Sequence, residues 1–324
     1  MDANPETPAH PVKVSSVRKF ALRYARWMLL AQLGLLTANL TAPWWWVSDL
    51  SIHFQIPASC LALTTLAAAG LSRQRGLFVV AICSIAWHCS YIAPLYIPRK
   101  TEAKPPGNAQ SFRAMTYNVF AGNREQDAVR ELLAKEQPDI LCVEELTTYW
   151  HRLFKEEFAY NFATPTEGCF GGGIYSRYPL SDWKEIPLSA DNTSLQVTVH
   201  LPDKELDVIV VHCFPPMSSR AQRQRNIQIR GLIEYLQHVH RPTIVMGDFN
   251  STIWTAPMQE LVHSTPFVDT TRGFGPQPSW PQGRPFLRIP IDQAFVTPDI
   301  QVNSRRIGNA SGSDHLPVIL DCQF

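Results

Sequence analysis

The sequence predicts an α+β domain, with its sheets covered by helices, carried behind three membrane-spanning helices. Three observations point there. Strand-like and helix-like segments alternate from residue 111 to residue 324. Ahead of them, residues 27–47, 52–71 and 77–97 form three apolar stretches without a single Asp, Glu, Lys or Arg. Polar residues recur at the C-terminal ends of the strand-like runs, where rigid strands can present them on loops.

From the N-terminus, residues 1–19 are Pro-rich and polar, the composition of a disordered tail. Residues 20–97 hold the three apolar stretches, each of the length that crosses a hydrocarbon core at about 1.5 Å per residue. Trp27 marks one end of the first stretch and Trp44, Trp45 and Trp46 the other, as interfacial rings would. Gln32, Asn39 and Pro43 interrupt it, and Pro57 lies near the start of the second. A cleaved leader accounts poorly for the first stretch, since two more follow and no small-residue cleavage site precedes them. Lys13, Arg18, Lys19, Arg23 and Arg26 precede the first span, and Arg73 and Arg75 fill the second connection. The first connection, residues 48–51, has only Asp49. Cytoplasmic loops collect Lys and Arg, so the N-terminus is expected in the cytoplasm of a multi-pass inner-membrane protein. Three crossings then place the rest outside the cytoplasm, on the periplasmic side. Arg99, Lys100 and Lys104 weaken this orientation without reversing it. His88 lies mid-span, where a neutral imidazole bonded to a neighbouring helix is the simplest reading.

Residues 98–110 (PRKTEAKPPGNAQ) read as a linker, and residues 111–324 as one domain. Residues 113–120 read as a strand, 124–136 as a helix with Val129, Leu132 and Leu133 on one face, and 139–143 as a buried strand. Residues 195–201 and 206–214 read as a hairpin about Pro202-Asp203. A helix over 219–239 turns Ile229, Leu232, Ile233 and Leu236 inward, and strands at 243–246, 293–296 and 317–320 complete the set. The seven Cys match neither a zinc site nor a redox pair. Cys142 with Cys213 is one conceivable disulfide, which the sequence does not establish.

The strand-end residues are Asn118, Glu144 and Glu145, His212, Asp248 and Asn250, and Asp292; Asp314 and His315 precede the last strand. Singly, each has a plain structural explanation as a turn or capping residue. Jointly they form a hard, oxygen-rich set of the type that suits Mg²⁺ or Mn²⁺. The ordered motifs TYNV, PDILCVEE, GGGIYSRYPL, VVHCF, MGDFN, PSWP, IPIDQAF and SDHLPV are similar to those of the endonuclease/exonuclease/phosphatase superfamily, the deoxyribonuclease-I-like fold. The resemblance covers about residues 111–324, and the spans resemble those of membrane-anchored bacterial members.

That resemblance implies a four-layer α/β/β/α sandwich of two packed β-sheets and metal-dependent cleavage of phosphate esters. Glu145 occupies the place of the principal metal ligand, with Asn118 and Asp314 beside the metal. Glu144 stands where the family usually has Gln, which leaves open whether it adds a ligand or only charge. His212 and Asn250 match residues that contact the phosphate. Asp248 matches the residue that orients or deprotonates the attacking water, and Asp292 would pair with His315. Phe120 replaces a carboxylate that some members use, so a second metal there is not implied.

The expected function is therefore a membrane-anchored phosphodiesterase or phosphatase using Mg²⁺ or Mn²⁺. Its partners would be the lipid bilayer and a phosphate-ester substrate, lipid-linked substrates included, with no obligate protein partner inferred. An extracytoplasmic nuclease is the alternative. From Pro98 onward 22 Lys and Arg face 25 Asp and Glu, a net of −3, where duplex binding calls for a basic face. Arg220, Arg223, Arg225 and Arg230 could receive phosphate, although a solvated helix face is the simpler reading. A non-catalytic membrane scaffold is the third reading, opposed by the intactness of the site set.

Overall fold

Apolar stretches, alternating strands and turn residues resolve into two regions in the computed structural model, which describes residues 12–98, 109–189 and 192–324. The first region is helical: α1 (Val12–Thr41), α2 (Trp46–Ile52), α3 (Gln55–Ser72) and α4 (Arg75–Ile92), the last running into a 3-10 turn at Ala93–Tyr96. The sequence expected a disordered tail through residue 19, but α1 already begins at Val12. The Arg18 side chain gives a reason, because its Nε donates to the Ser72 carbonyl at the end of α3, 3.1 Å away. A cation there satisfies an orphan carbonyl and opposes the negative end of the helix dipole. The remainder of the expected tail, residues 1–11, and the expected linker at 99–108 lie outside the described residues.

The three expected spans are not equal. Among the described residues, two helices are long and apolar enough to cross a membrane, Gln55–Ser72 and Arg75–Tyr96. The longer α1 is not one of them, because its basic and amide residues lower its hydropathy, and those residues serve its neighbours. Buried Gln32 donates to Thr65 of α3 at 2.6 Å, and Asn39 accepts from Ser51 at 2.9 Å. Between α3 and α4, Gln55 and His88 meet at 2.7 Å. Pro43 follows the end of α1, and the Trp triplet leads into α2 instead of closing a straight span.

The second region is a sandwich. One sheet runs in the order β11 (Gln301–Ile307), β12 (Val318–Gln323), β1 (Ser111–Asn118), β2 (Ile140–Glu144), β4 (Gly172–Ser176), β3 (Tyr160–Thr164). The other runs β5 (Leu180–Ser189), β6 (Asn192–His200), β7 (Glu205–His212), β8 (Thr243–Asp248), β10 (Asp292–Val296), β9 (Val268–Asp269). Side chains alternate across a strand, so one face of each sheet meets the other. Ala114, Ile140, Cys142 and Ile174 from the first sheet pack on Val197, Val208, Val210, Ile244 and Met246 from the second. The outer face of the first sheet packs on α5 (Gln126–Glu136) and α6 (Thr148–Glu157) through Val129, Leu132, Trp150 and Phe154. That of the second packs on α7 (Ser219–Leu236) and α8 (Ala256–Ser264) through Ile229, Leu232, Met258 and Leu261. Four layers result, as the sequence resemblance implied. The expected hairpin about Pro202-Asp203 is present as β6 and β7.

The helical region is not merely tethered to the sandwich. Ala42, Ile52 and Leu95 belong to the same buried cluster as α7, β8 and Phe295. Arg225 on α7 is fully buried and pairs with Asp49 of α2 at 2.8 Å, correcting the expectation of a solvated face at this position. Arg220, Arg223 and Arg230 do stay exposed. Tyr91 accepts from the Trp254 indole at 3.0 Å, and the Leu95 carbonyl accepts from the amides of Gly273 and Gly275.

Candidate active site

Strand register does the first part of the assembly. In the parallel pair β1–β2, Asn118 stands opposite Glu144. In the other sheet, Asp248 stands opposite His212 on β7 and opposite Asp292 on β10, so three polar residues lie in one row across adjacent strands. Gly247 lets β8 approach β7 this closely. Its φ is +147°, and a Cβ there would fall 2.0 Å from the Val211 carbonyl oxygen.

The two sheets meet at Asn118. Its Nδ2 donates to Asp248 Oδ2 at 3.1 Å and to Glu145 Oε1 at 3.2 Å, and its Oδ1 accepts from the Phe120 amide. Glu145, at φ +54°, leaves the strand end and accepts from the Ala121 amide at 2.9 Å through Oε2. Non-glycine residues rarely adopt that backbone, and such positions gather at functional sites. Asn250, at φ +46°, is held likewise: its amide donates to Asp248 Oδ1 at 2.8 Å and its Nδ2 to the Cys213 carbonyl at 2.9 Å.

On the opposite side His315 donates from Nδ1 to Asp292, 3.0 Å from Oδ2, which leaves Nε2 directed at Asp248, 3.7 Å from its Oδ2. His212 Nε2 lies 3.8 Å from the same oxygen. Asp248 is thus ringed by two imidazoles and two side-chain amides. Burial alone would lower the His315 pKa, but the carboxylates of Asp292 and Asp248 outweigh it and push it up to about 10. His315 is therefore an imidazolium at neutral pH. Burial lowers the His212 pKa to about 4, with the His315 charge adding to the effect, so His212 is neutral. Burial raises Asp248 to about 7 against the pull of His315, and the Asp292 charge adds to the rise.

Glu144 is fully buried and turned away from Glu145. Its Oε1 accepts from Thr116 at 2.6 Å, and its Oε2 has no hydrogen-bond partner among the described residues. Burial raises its carboxyl well above the carboxylate range; the Thr116 bond opposes the rise, and the Asp292 and Asp248 charges reinforce it. Among the described residues, Asp248, Asp292 and His315 bring ligand atoms within 4.8 Å of one another. In that trio His315 links the two acids, its Nδ1 on Asp292 and its Nε2 facing Asp248. The expected ligands Glu145 and Asn118 instead face Asp248 from the first sheet. Asp314 is turned toward Trp280, whose indole Nε1 donates to its Oδ2 at 2.9 Å. The donor set fits a hard divalent cation: the oxygens belong to carboxylates and an amide, and the buried acids exceed the cations that face them.

All nine sequence-predicted residues come to the same end of the sandwich, but not in equal roles. Asn118, Glu145, His212, Asp248, Asn250, Asp292 and His315 converge by contact, whereas Glu144 points into the interior and Asp314 to Trp280. Sequence reasoning missed Trp280 as a wall of the site, although it stands in the quoted PSWP motif; its ring lies 6.3 Å from that of His315. It also missed the support beneath the Asp248 loop. His53 Nδ1 contacts the Thr252 hydroxyl at 3.0 Å, and Arg225 reaches the Asn250 carbonyl at 3.5 Å. Cys142 and Cys213, the conceivable disulfide, are both buried free thiols.

Comparison with known proteins agrees with this architecture. Residues 115–315 match the model of the endonuclease/exonuclease/phosphatase family. Protein angel of Drosophila melanogaster is 26% identical over 221 residues, 53% of this chain and 61% of that protein. The chain therefore spans less than two thirds of this relative. Among solved structures, an endonuclease/exonuclease/phosphatase from Beutenbergia cavernae aligns over 66% of this chain and 72% of its own, at TM-score 0.55 and 20% identity. TDP2 of D. rerio, solved with a single-strand DNA product, aligns over 66% and 99%, at TM-score 0.57 and 16% identity. The human Nocturnin catalytic domain aligns over 68% and 99%, at TM-score 0.53 and 18% identity. These similarities carry the fold, and the family match covers most of the sandwich. The chain belongs to the endonuclease/exonuclease/phosphatase family.

Proposed function

We propose that this protein is a divalent-metal-dependent phosphodiesterase or phosphatase held at a membrane surface, with Mg²⁺ or Mn²⁺ bound by Glu145 and Asn118; Asp314, turned to Trp280, is left out of the ligand set. The observation that carries the reading is the Asp292–His315–Asp248 chain facing Asn118 and Glu145 across the junction of the two sheets. Bound there, the cation would neutralise phosphate oxygen charge and stabilise the leaving group. The protein's own groups supply the rest. Asp248, with its carboxyl near neutrality, accepts the proton of the attacking water. Asp292 fixes the His315 tautomer and stabilises its imidazolium, whose Nε2 proton donates to a phosphate oxygen. Asn118 and Asn250 spend their amide donors holding Asp248 in place, and neutral His212 adds a preorganised group beside it.

The apolar helices α3 and α4 support the membrane reading, with α1 packed beside them. The basic residues before α1 and between α3 and α4 support a cytoplasmic N-terminus and a periplasmic sandwich. The intact polar set opposes the scaffold reading. The negative balance of the sandwich disfavours the nuclease reading. The full chain in detergent micelles, given plasmid DNA, RNA, phospholipids and inositol phosphates in parallel, tests the proposal. Hydrolysis of small phosphate esters or phospholipids that needs Mg²⁺ or Mn²⁺ and stops with EDTA is expected. A strong preference for DNA with a steep salt dependence would replace it with the nuclease reading, and no hydrolysis of any ester would defeat both.

A further inference from the structure

One arm of the sandwich touches both the site and the helical region. Trp280 and Ile289 pair across its base, where Trp280 N donates to Ile289 O at 3.1 Å. At that base Trp280 bonds Asp314, and the Gln282 amide donates to the Asp314 carbonyl at 2.7 Å, so the arm walls the active site. At its tip, a 3-10 turn at Pro285–Leu287 leaves Phe286 91% and Leu287 48% exposed. A large apolar ring presented so fully asks for an apolar surrounding.

The outer side of this arm and the helices enclose a groove of about 430 Å³. Ile56, Cys60, Leu61 and Thr64 of α3 form one wall, and Pro278 and Phe286 of the arm form the other. From Ile56 to Thr64 the groove follows α3 for about 12 Å, at 1.5 Å per residue. Beyond the groove, Leu63 and Leu71 of α3 and Val79 and Ile82 of α4 are exposed. At its other end Pro278 stands two residues from Trp280. Arg288 lines the same groove, and Arg284, also on the arm, is exposed. The groove is therefore apolar along the helices and basic near the arm.

We propose that this groove holds a hydrocarbon chain of a membrane phospholipid while its phosphate ester lies in the Asp248–His315 site. The inference rests on the phosphoester-hydrolase and membrane readings above, and it names the substrate class of that same site. Its physical reason is the cost of lifting a headgroup out of the bilayer. Each methylene drawn into water would weaken the complex about fourfold. A chain lying between α3 and Phe286 stays covered during that displacement. The arm then sets the depth of the phosphate, because its tip faces α3 across the groove and its base lies against Asp314.

The test uses the full chain in nanodiscs of phosphatidylglycerol and phosphatidylcholine. A fraction of the lipid carries a photoreactive diazirine in one acyl chain, and adducts are mapped by peptide mass spectrometry. Adducts on residues 278–288 as well as on α3 and α4 are expected. Adducts confined to the helices overturn the groove, and this readout needs no turnover. In parallel, Cys60→Trp and Phe286→Ser are assayed on long-chain phospholipid and on bis(p-nitrophenyl) phosphate. The first activity should fall about tenfold or more, the effect of roughly two uncovered methylenes, while the second stays within about twofold. Equal losses on both esters, or none on either, overturn the proposal. A wild-type protein that hydrolyses neither ester contradicts the hydrolase reading, and the adduct map still decides the groove.

Discussion

Buried polar residues are handled differently in the helical region and in the sandwich. Between the helices they are neutral and paired one to one: Gln32 with Thr65, Asn39 with Ser51, Gln55 with His88. At the top of the sandwich they are acidic or basic and converge many on one, with Asp248 contacted by two amides and faced by two imidazoles. A neutral pair can be a finished structural contact. A cluster with excess buried acid, a Glu144 carboxyl raised by burial and backbones at positive φ is the kind of strained arrangement that gathers at functional sites. The junction between the regions belongs to neither type. Asp49 and Arg225 form a single charged pair, fully sheltered, beneath the loop that carries Asp248 and Asn250.

The largest test of this comparison is to separate the regions. A chain of residues 98–324 loses Asp49 and uncovers the surface that Ala42, Ile52 and Leu95 fill. It should fail to give the soluble, cooperatively unfolding protein expected of an independent domain, as read by differential scanning calorimetry. Next in size, Asp49→Ala in the full chain leaves a buried guanidinium unpaired and should cost about 3–5 kcal/mol of stability by denaturant unfolding. Replacing both partners with apolar residues, Asp49→Leu with Arg225→Met, should recover most of that loss. An equal loss in the double variant would mean that packing, not charge, joins the regions.

Titration sharpens the contrast further. Asp248 and His315 both have folded pKa values above their ordinary ones, so the folded state binds protons more tightly. The stability that His315 contributes is full below about 6.5 and lost as pH rises through about 10. The Asp248 contribution declines earlier, between about 3.8 and about 7. In EDTA, the unfolding temperature of the wild type should therefore fall from neutral to alkaline pH, and Asp292→Asn should flatten the His315 portion. The smallest effect is expected for Gln32→Leu, about 0.6 kcal/mol or less, because Thr65 keeps its bond to the Leu61 carbonyl.

Much of the sandwich was legible because its cues are local. The runs ILCVEE and VIVVHCF announce buried strands that end in polar residues, and register does the rest. The helix at 126–136 and the β6–β7 hairpin followed from periodicity and a Pro-Asp turn. The β3–β4 pair and α6 were not assigned, since GGGIYS is poor in side chains and TYWHRLFKEE mixes aromatics with charge. The fate of Arg225 was invisible for a different reason. Its partner lies 176 residues away, and no spacing rule links a helix arginine to the lone acid of a distant connection. Similarly, Gln32 and Asn39 already mark the first apolar stretch as the weakest span, but only contacts show that they pair with Thr65 and Ser51. Only the family resemblance set Glu145 apart from Glu144 in sequence; in the structure Glu145 turns out at positive φ while Glu144 bonds Thr116 in the interior.

The central claim is that the buried acid at Asp248, framed by His315 and Asn118, acts on a water that attacks phosphorus. The most direct measurement is the single-turnover rate of phosphodiester hydrolysis by full-length Asp248→Asn in Mg²⁺, beside the wild type and with folding checked by thermal unfolding. A loss of about 100-fold or more in a folded variant is the expected result. Undiminished turnover would contradict the account.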